Sequence, residues 1–112
     1  MKLTVSVTQE HIDKAKAIQE ANKAIWHSGV LLRTECPYAL AVNDTVKAPE
    51  GKKVTASVDG LGLMRISFSA IEGRSPGTEY QAWIPAEYRR DIPTQLTAGP
   101  VSFELDFWTY SR

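Results

Sequence analysis

Three things are scarce in this chain of 112 residues: cysteine, histidine and any excess of charge. The one cysteine, Cys36, excludes an internal disulfide and fits a reducing compartment. The two histidines, His11 and His27, are scattered relative to it, with no C-x-x-C and no H-x-x-x-H. A closed structural zinc site draws four ligands at recognisable spacing, so neither a metal nor a cofactor is expected. Thirteen basic and thirteen acidic residues cancel, which argues against a broad nucleic-acid-binding surface while leaving room for local basic spots. No apolar run approaches membrane-spanning length. The start, "MKLTVSVTQEH", turns polar too soon for a signal peptide. The expectation is a cytoplasmic protein with no membrane partner.

What is present is ordinary globular composition at the length of one domain, residues 1–112. Leu3, Val5 and Val7 alternate with Lys2, Thr4 and Ser6, the pattern of a half-buried strand. At Thr8 the period changes. Ile12, Ala15, Ile18, Ala21 and Ile25 then recur at helical spacing, with Thr8 placed as N-cap and Val7 and Ile12 as a hydrophobic staple. Gly29 is a natural stop. In "ECPYALAV" (35–42) the residue before proline is pushed out of the α region, and proline suits the first helical position. Cys36 therefore reads as N-cap and Pro37 as the first residue of a short helix running to about Val42.

"KVTASVDGLGLMRISFSA" (53–70) reads as a hairpin, with Asp59-Gly60 as its turn dipeptide. Residues 71–79 form a loop, 80–85 a further strand, and "PAEYRRDI" (85–92) a short helix stopped before Pro93. The closing run "VSFELDFW" (101–108) points Val101, Phe103, Leu105 and Phe107 one way and Ser102, Glu104, Asp106 and Trp108 the other. The order β-α-α-β-β-β-α-β predicts an α+β fold: an antiparallel sheet of about five strands with helices packed on one face.

Several residue groups could carry chemistry. A thiol at a helix start can be activated, but no spacing brings His11 or His27 beside Cys36 as a base, so no catalytic residue is assigned. Glu104 and Asp106 share one strand face, as the solvated face of a terminal strand also would. "GRSPG" (73–77) could present backbone N–H groups to an anion, with Arg74 and Ser75 adding donors; a plain hairpin loop is the competing explanation. Arg89 and Arg90 follow Tyr88, with Trp83 upstream. Arginine beside aromatics is what recognition of phosphates and bases uses; it is also what an ordinary helix end looks like. The candidate ligand-binding set is thus Arg74, Ser75, Trp83, Tyr88, Arg89 and Arg90. Trp108 and Tyr110 in the tail "FWTYSR" could form a subunit interface, making a homo-oligomer through the C-terminal strand, or fold over their own sheet.

"VTQEHID", "CPYALAV", "WIPAEYRRDI" and "GPVSFELDF" together resemble a group of small uncharacterised bacteriophage and prophage proteins. That group has a TQ-x-x-I start, a Cys-Pro-x-Ala-Leu-Ala helix, a Pro-x-Glu helix and an F-x-L-x-F final strand. The likeness touches most of the chain in short pieces, and this chain departs from it between Lys14 and Glu35, where the first helix is lengthened. The resemblance implies no catalytic residues. It implies a small accessory protein of the infected host's cytosol. Taken with the absence of a catalytic constellation and the arginine and aromatic content around 74–90, it points to a non-enzymatic protein that could sequester a small anionic, nucleotide-like ligand and so counter host defence signalling. The alternative is a protein- or nucleic-acid-binding accessory factor acting through its terminal aromatic strand or local basic spots.

Overall fold

A computed structural model describes residues 2–26, 31–47, 50–70 and 78–110. The chain forms β1 (Lys2–Val7), α1 (Gln9–Trp26), α2 (Pro37–Thr45), β2 (Lys52–Val58), β3 (Leu63–Ala70) and β4 (Thr78–Trp83). A 3-10 turn (Ala86–Tyr88) precedes α3 (Ile92–Thr97), β5 (Val101–Asp106) and β6 (Trp108–Tyr110). The fold is α+β with every strand pairing antiparallel, as the alternation indicates.

The strands divide into two sheets, β1-β5 and β2-β3-β4-β6. The closing run of alternation belongs to both. Its first half pairs with β1, Val5 opposite Phe103 and Leu3 opposite Leu105. After Phe107 the chain changes partner, and Trp108 sits opposite Gln81 of β4. The inward parity survives the break: Phe103, Leu105 and Phe107 are all buried.

α2 is the centre of the molecule. It packs against β1 and β2, the outermost strands of the two sheets, and against α1. Residues 36–42 are buried without interruption, so the first turns of this helix are enclosed on all sides, which explains why they are apolar all round rather than amphipathic. Ala39 and Ala41, both at 0 % exposure, permit close approach. Val5, Ile12, Ala56, Met64, Ile66, Ala82 and Leu105 complete the core around it.

The helix-start signals at 36–37 act as read. Cys36 is the N-cap, its Sγ accepting from Ala39 N at 3.5 Å, with Pro37 following. The helix runs past Val42 to Thr45. Asn43 lies in the added turn, and its side chain is engaged across to the neighbouring strand: its Oδ1 accepts the Ala56 N–H of β2 at 3.0 Å. Val58 N, two residues on, donates to Arg33 O at 3.1 Å. These two N–H groups of an edge strand are thereby covered.

Two expectations are corrected. The segment 85–92 is not one helix. Its first part is the 3-10 turn, and Pro93 starts α3 instead of barring it: Asp91 is the N-cap, accepting from Thr94 N at 2.9 Å, with proline in the first turn. The β2–β3 turn is longer than the Asp59-Gly60 dipeptide. Gly62 N donates to Asp59 O and Asp59 N to Leu63 O, and the left-handed residue is Gly62 at φ +90°, a type I turn closed by a glycine bulge. α1 also behaves differently along its length. Ile12 and Ala15 are buried, whereas Ile25 is 67 % exposed, so only the N-terminal part of its apolar stripe meets the core.

Candidate ligand site at the arginine cavity

The β2–β3 turn, the segment after β4, the start of α2 and the first turns of α3 converge on a cavity of about 460 Å³. That volume lies within the ~300–1,000 Å³ typical of small-molecule sites. Three arginines line it: Arg33 from the connector before α2, and Arg89 and Arg90 from the segment before α3. Leu31, Val58, Ile84 and Ile92 give it an apolar wall.

Arg89 is held at three points. Its Nε donates to Ile84 O at 2.6 Å, its guanidinium carbon lies 5.2 Å from the centre of the Trp83 ring, and its stem rests on Gly62. Among the described residues, the side chains of Arg33 and Arg90 form no hydrogen bond or ion pair. Asp59 and Asp91 also border the cavity, but each is committed to backbone. Asp59 Oδ1 accepts from Leu61 N and Leu63 N. The Asp91 carboxyl is held below its ordinary value by its bonds to Thr94. With three guanidinium groups against two occupied carboxylates, the cavity carries a net positive charge, to which the start of α2 adds the positive end of its dipole.

Two further cavity residues are buried. Cys36 is 2 % exposed. Burial raises its thiol above the ordinary value, outweighing the backbone N–H groups of Ala39 and Tyr38, which pull the other way. The group is a neutral cap rather than a thiolate. Gln95, from α3, is 5 % exposed. Its Nε2 donates to Arg90 O at 2.9 Å, and its Oε1 is buried with no hydrogen-bond partner.

Of the residues expected from sequence, Arg89 and Arg90 reach the cavity. Trp83 touches it through Arg89. Tyr88 turns away: its ring stacks on Phe103 at 5.3 Å, and its carbonyl accepts the Tyr38 hydroxyl at 2.9 Å. Burial raises the Tyr38 phenol, with Arg90 acting in the opposite sense. Arg74, Ser75 and His27 lie outside the described residues. His11 is engaged at both ring nitrogens, by Thr8 and by Asp44. Sequence reasoning misses Arg33 and Gln95. The signal for Gln95 is the Asp91-x-x-Thr94 cap, which places it in a helix; nothing local marks Arg33.

The face of the larger sheet that carries Trp83 is a second surface, adjoining the cavity through the Trp83–Arg89 contact. By register, Ser57, Arg65, Gln81 and Trp108 form one row across four strands. Trp83 and Trp108 are 47 % and 42 % exposed, and the Nε of Arg65 is buried without a partner.

Among the described residues no three His, Cys, Asp or Glu side chains gather as a metal site, and no helix is long and apolar enough to cross a membrane. No family model, curated protein or solved structure matches the chain.

Proposed function

We propose that this is a non-enzymatic binding protein whose arginine cavity holds a small anionic, nucleotide-like ligand. The observation that carries the reading is the convergence of Arg33, Arg89 and Arg90 on one partly apolar cavity whose two carboxylates are already occupied. Guanidinium groups bind phosphate oxygens in fork geometry and stack on bases, and the aliphatic wall suits the flat body of a nucleoside. Binding rather than turnover agrees with a buried, neutral thiol and a histidine whose ring nitrogens are both occupied. Together with the phage-like sequence pieces, the reading is of a sponge for a signalling nucleotide in the host cytosol.

The test is a melting-temperature screen against phosphate, mononucleotides and cyclic dinucleotides at millimolar concentration. A ligand present at a hundredfold excess over its Kd adds about 2.7 kcal/mol to stability. Arg33→Gln and Arg90→Gln should each weaken binding at least tenfold, at the strength expected for a charge-assisted contact. No shift with any of these compounds removes the reading.

A second reading rests on the outer sheet face. Two half-exposed tryptophans beside a buried, unpartnered arginine nitrogen suit a macromolecular partner, either protein or single-stranded nucleic acid, or a second copy joined through the C-terminal strand. Loss of a complex on Trp108→Ser, with the melting response to small anions intact, would select it.

A further inference from the structure

The orphaned oxygen of Gln95 narrows the ligand class, given the anion-binding reading above. A buried amide oxygen without a donor is rare in a folded protein and costly to leave so. The Gln95 side chain cannot satisfy it by turning over, because the Nε2 bond to Arg90 O fixes which end is nitrogen and which is oxygen. The same bond ties Gln95 to the backbone of an arginine that lines the cavity. The lining residues therefore combine guanidinium donors for an anion with, in Gln95 of α3, a buried acceptor that lacks a donor. An inorganic anion with no proton to donate, such as sulfate, would satisfy the first and leave the second unmet.

We propose that the cavity takes a 5′-nucleotide whose base presents an exocyclic amino group, with the phosphate at Arg33 and Arg90 and the amino N–H donated to Gln95 Oε1. The apolar residues Leu31, Ile84 and Ile92 line the same cavity and offer a surface for the base and sugar. A small side-chain shift at Gln95 opens its oxygen to the ligand, and the hydrogen bond so made compensates the one now missing.

The test compares four compounds on the full chain by calorimetry: ribose 5-phosphate, purine riboside 5′-monophosphate, AMP and CMP. Purine riboside 5′-monophosphate is AMP without the amino group, so the pair isolates one donor. AMP and CMP should bind about tenfold or more tighter than purine riboside 5′-monophosphate, the usual penalty for a buried acceptor left unpaired. In Gln95→Met that gap should close, while Arg90→Gln should weaken all four alike. Equal affinity of AMP and purine riboside 5′-monophosphate for the unaltered protein would overturn the amino-group assignment and leave the anion site standing. Failure of all four to bind would overturn both. Because the decisive comparison is made on the unaltered protein, it does not depend on whether Gln95→Met folds.

Discussion

The stem of Arg89 lies against Gly62 so closely that a Cβ at position 62 would stand 2.8 Å from Arg89 Cγ and 2.9 Å from its Cδ. Gly62 also holds φ +90°, a conformation that side chains with a Cβ rarely adopt. The glycine thus serves the turn and the cavity together: it closes the β2–β3 hairpin and leaves the groove in which Arg89 runs toward Trp83. Gly62→Ala should lose about 1–3 kcal/mol of stability and weaken any anion bound in the cavity, read by urea unfolding and by calorimetry. Gly60 is the control. Nothing lies within 4 Å of a Cβ there and its φ is unremarkable, so Gly60→Ala should change stability by no more than about 0.5 kcal/mol.

Asn43 gives a second prediction. Its Oδ1 is the acceptor for the Ala56 N–H on the open edge of β2. Asn43→Leu removes the acceptor and leaves the buried helix otherwise intact. The expected loss is about 1–3 kcal/mol, the cost of an unpaired buried donor. Amide exchange at Ala56 should quicken selectively, while Val58, whose N–H goes to Arg33 O, keeps its protection. Equal acceleration at both positions would mean general loosening rather than loss of one bond.

The extent to which the sequence foretells this structure follows from how local each signal is. Cys36-Pro37 as a helix start, Thr8 as a change of period and the alternation of 101–108 depend on neighbours within a few residues, and each is present. The break at Phe107 leaves no trace, because the alternation continues across it and only the pairing partner changes. Pro93 reads as a stop in sequence, since a proline in the first turn and a proline past the end look alike until the cap at Asp91 is noticed. Arg89 and Arg90 are visible as arginines beside aromatics. Arg33 and Gln95 stand 62 positions apart in sequence and meet only through the packing of α2 and α3, which no periodicity encodes.

The start of α1 carries a variant capping box. Thr8 N donates to His11 Nδ1 at 3.0 Å, where a glutamate or glutamine would ordinarily receive it. With Nδ1 accepting, the proton of the neutral ring sits on Nε2 and points at Asp44 Oδ2, 2.6 Å away. Long-range nitrogen NMR should therefore report the Nε2–H tautomer. His11→Ala should cost about 1–2 kcal/mol through loss of the cap and its link to α2. Asp44→Asn, which retains an acceptor at a largely exposed site, should cost under about 1 kcal/mol. A native tautomer with the proton on Nδ1 would refute the capping assignment.

Cys36 tests whether its thiol is architecture or chemistry. Its folded-state ionisation is pushed up by burial from an ordinary value of 9.0. Below that value both states hold the proton and the thiol's contribution is fully present. As pH rises past about 9 the unfolded chain sheds the proton first, so the native state binds more protons and stability falls, by at most about 1.4 kcal/mol per pH unit, until the folded thiol ionises as well. Tyr38 is raised too, from 10.0, so the decline between pH 9 and 10 is the part that belongs mainly to Cys36. Cys36→Ala should flatten that part of the profile while lowering stability near neutrality by about 1–2 kcal/mol, through loss of the cap to Ala39 and the void left behind. At pH 8 the native thiol should react with a disulfide reagent only as fast as the chain opens. Rapid stoichiometric labelling of the folded protein would instead place a reactive nucleophile at the mouth of the arginine cavity.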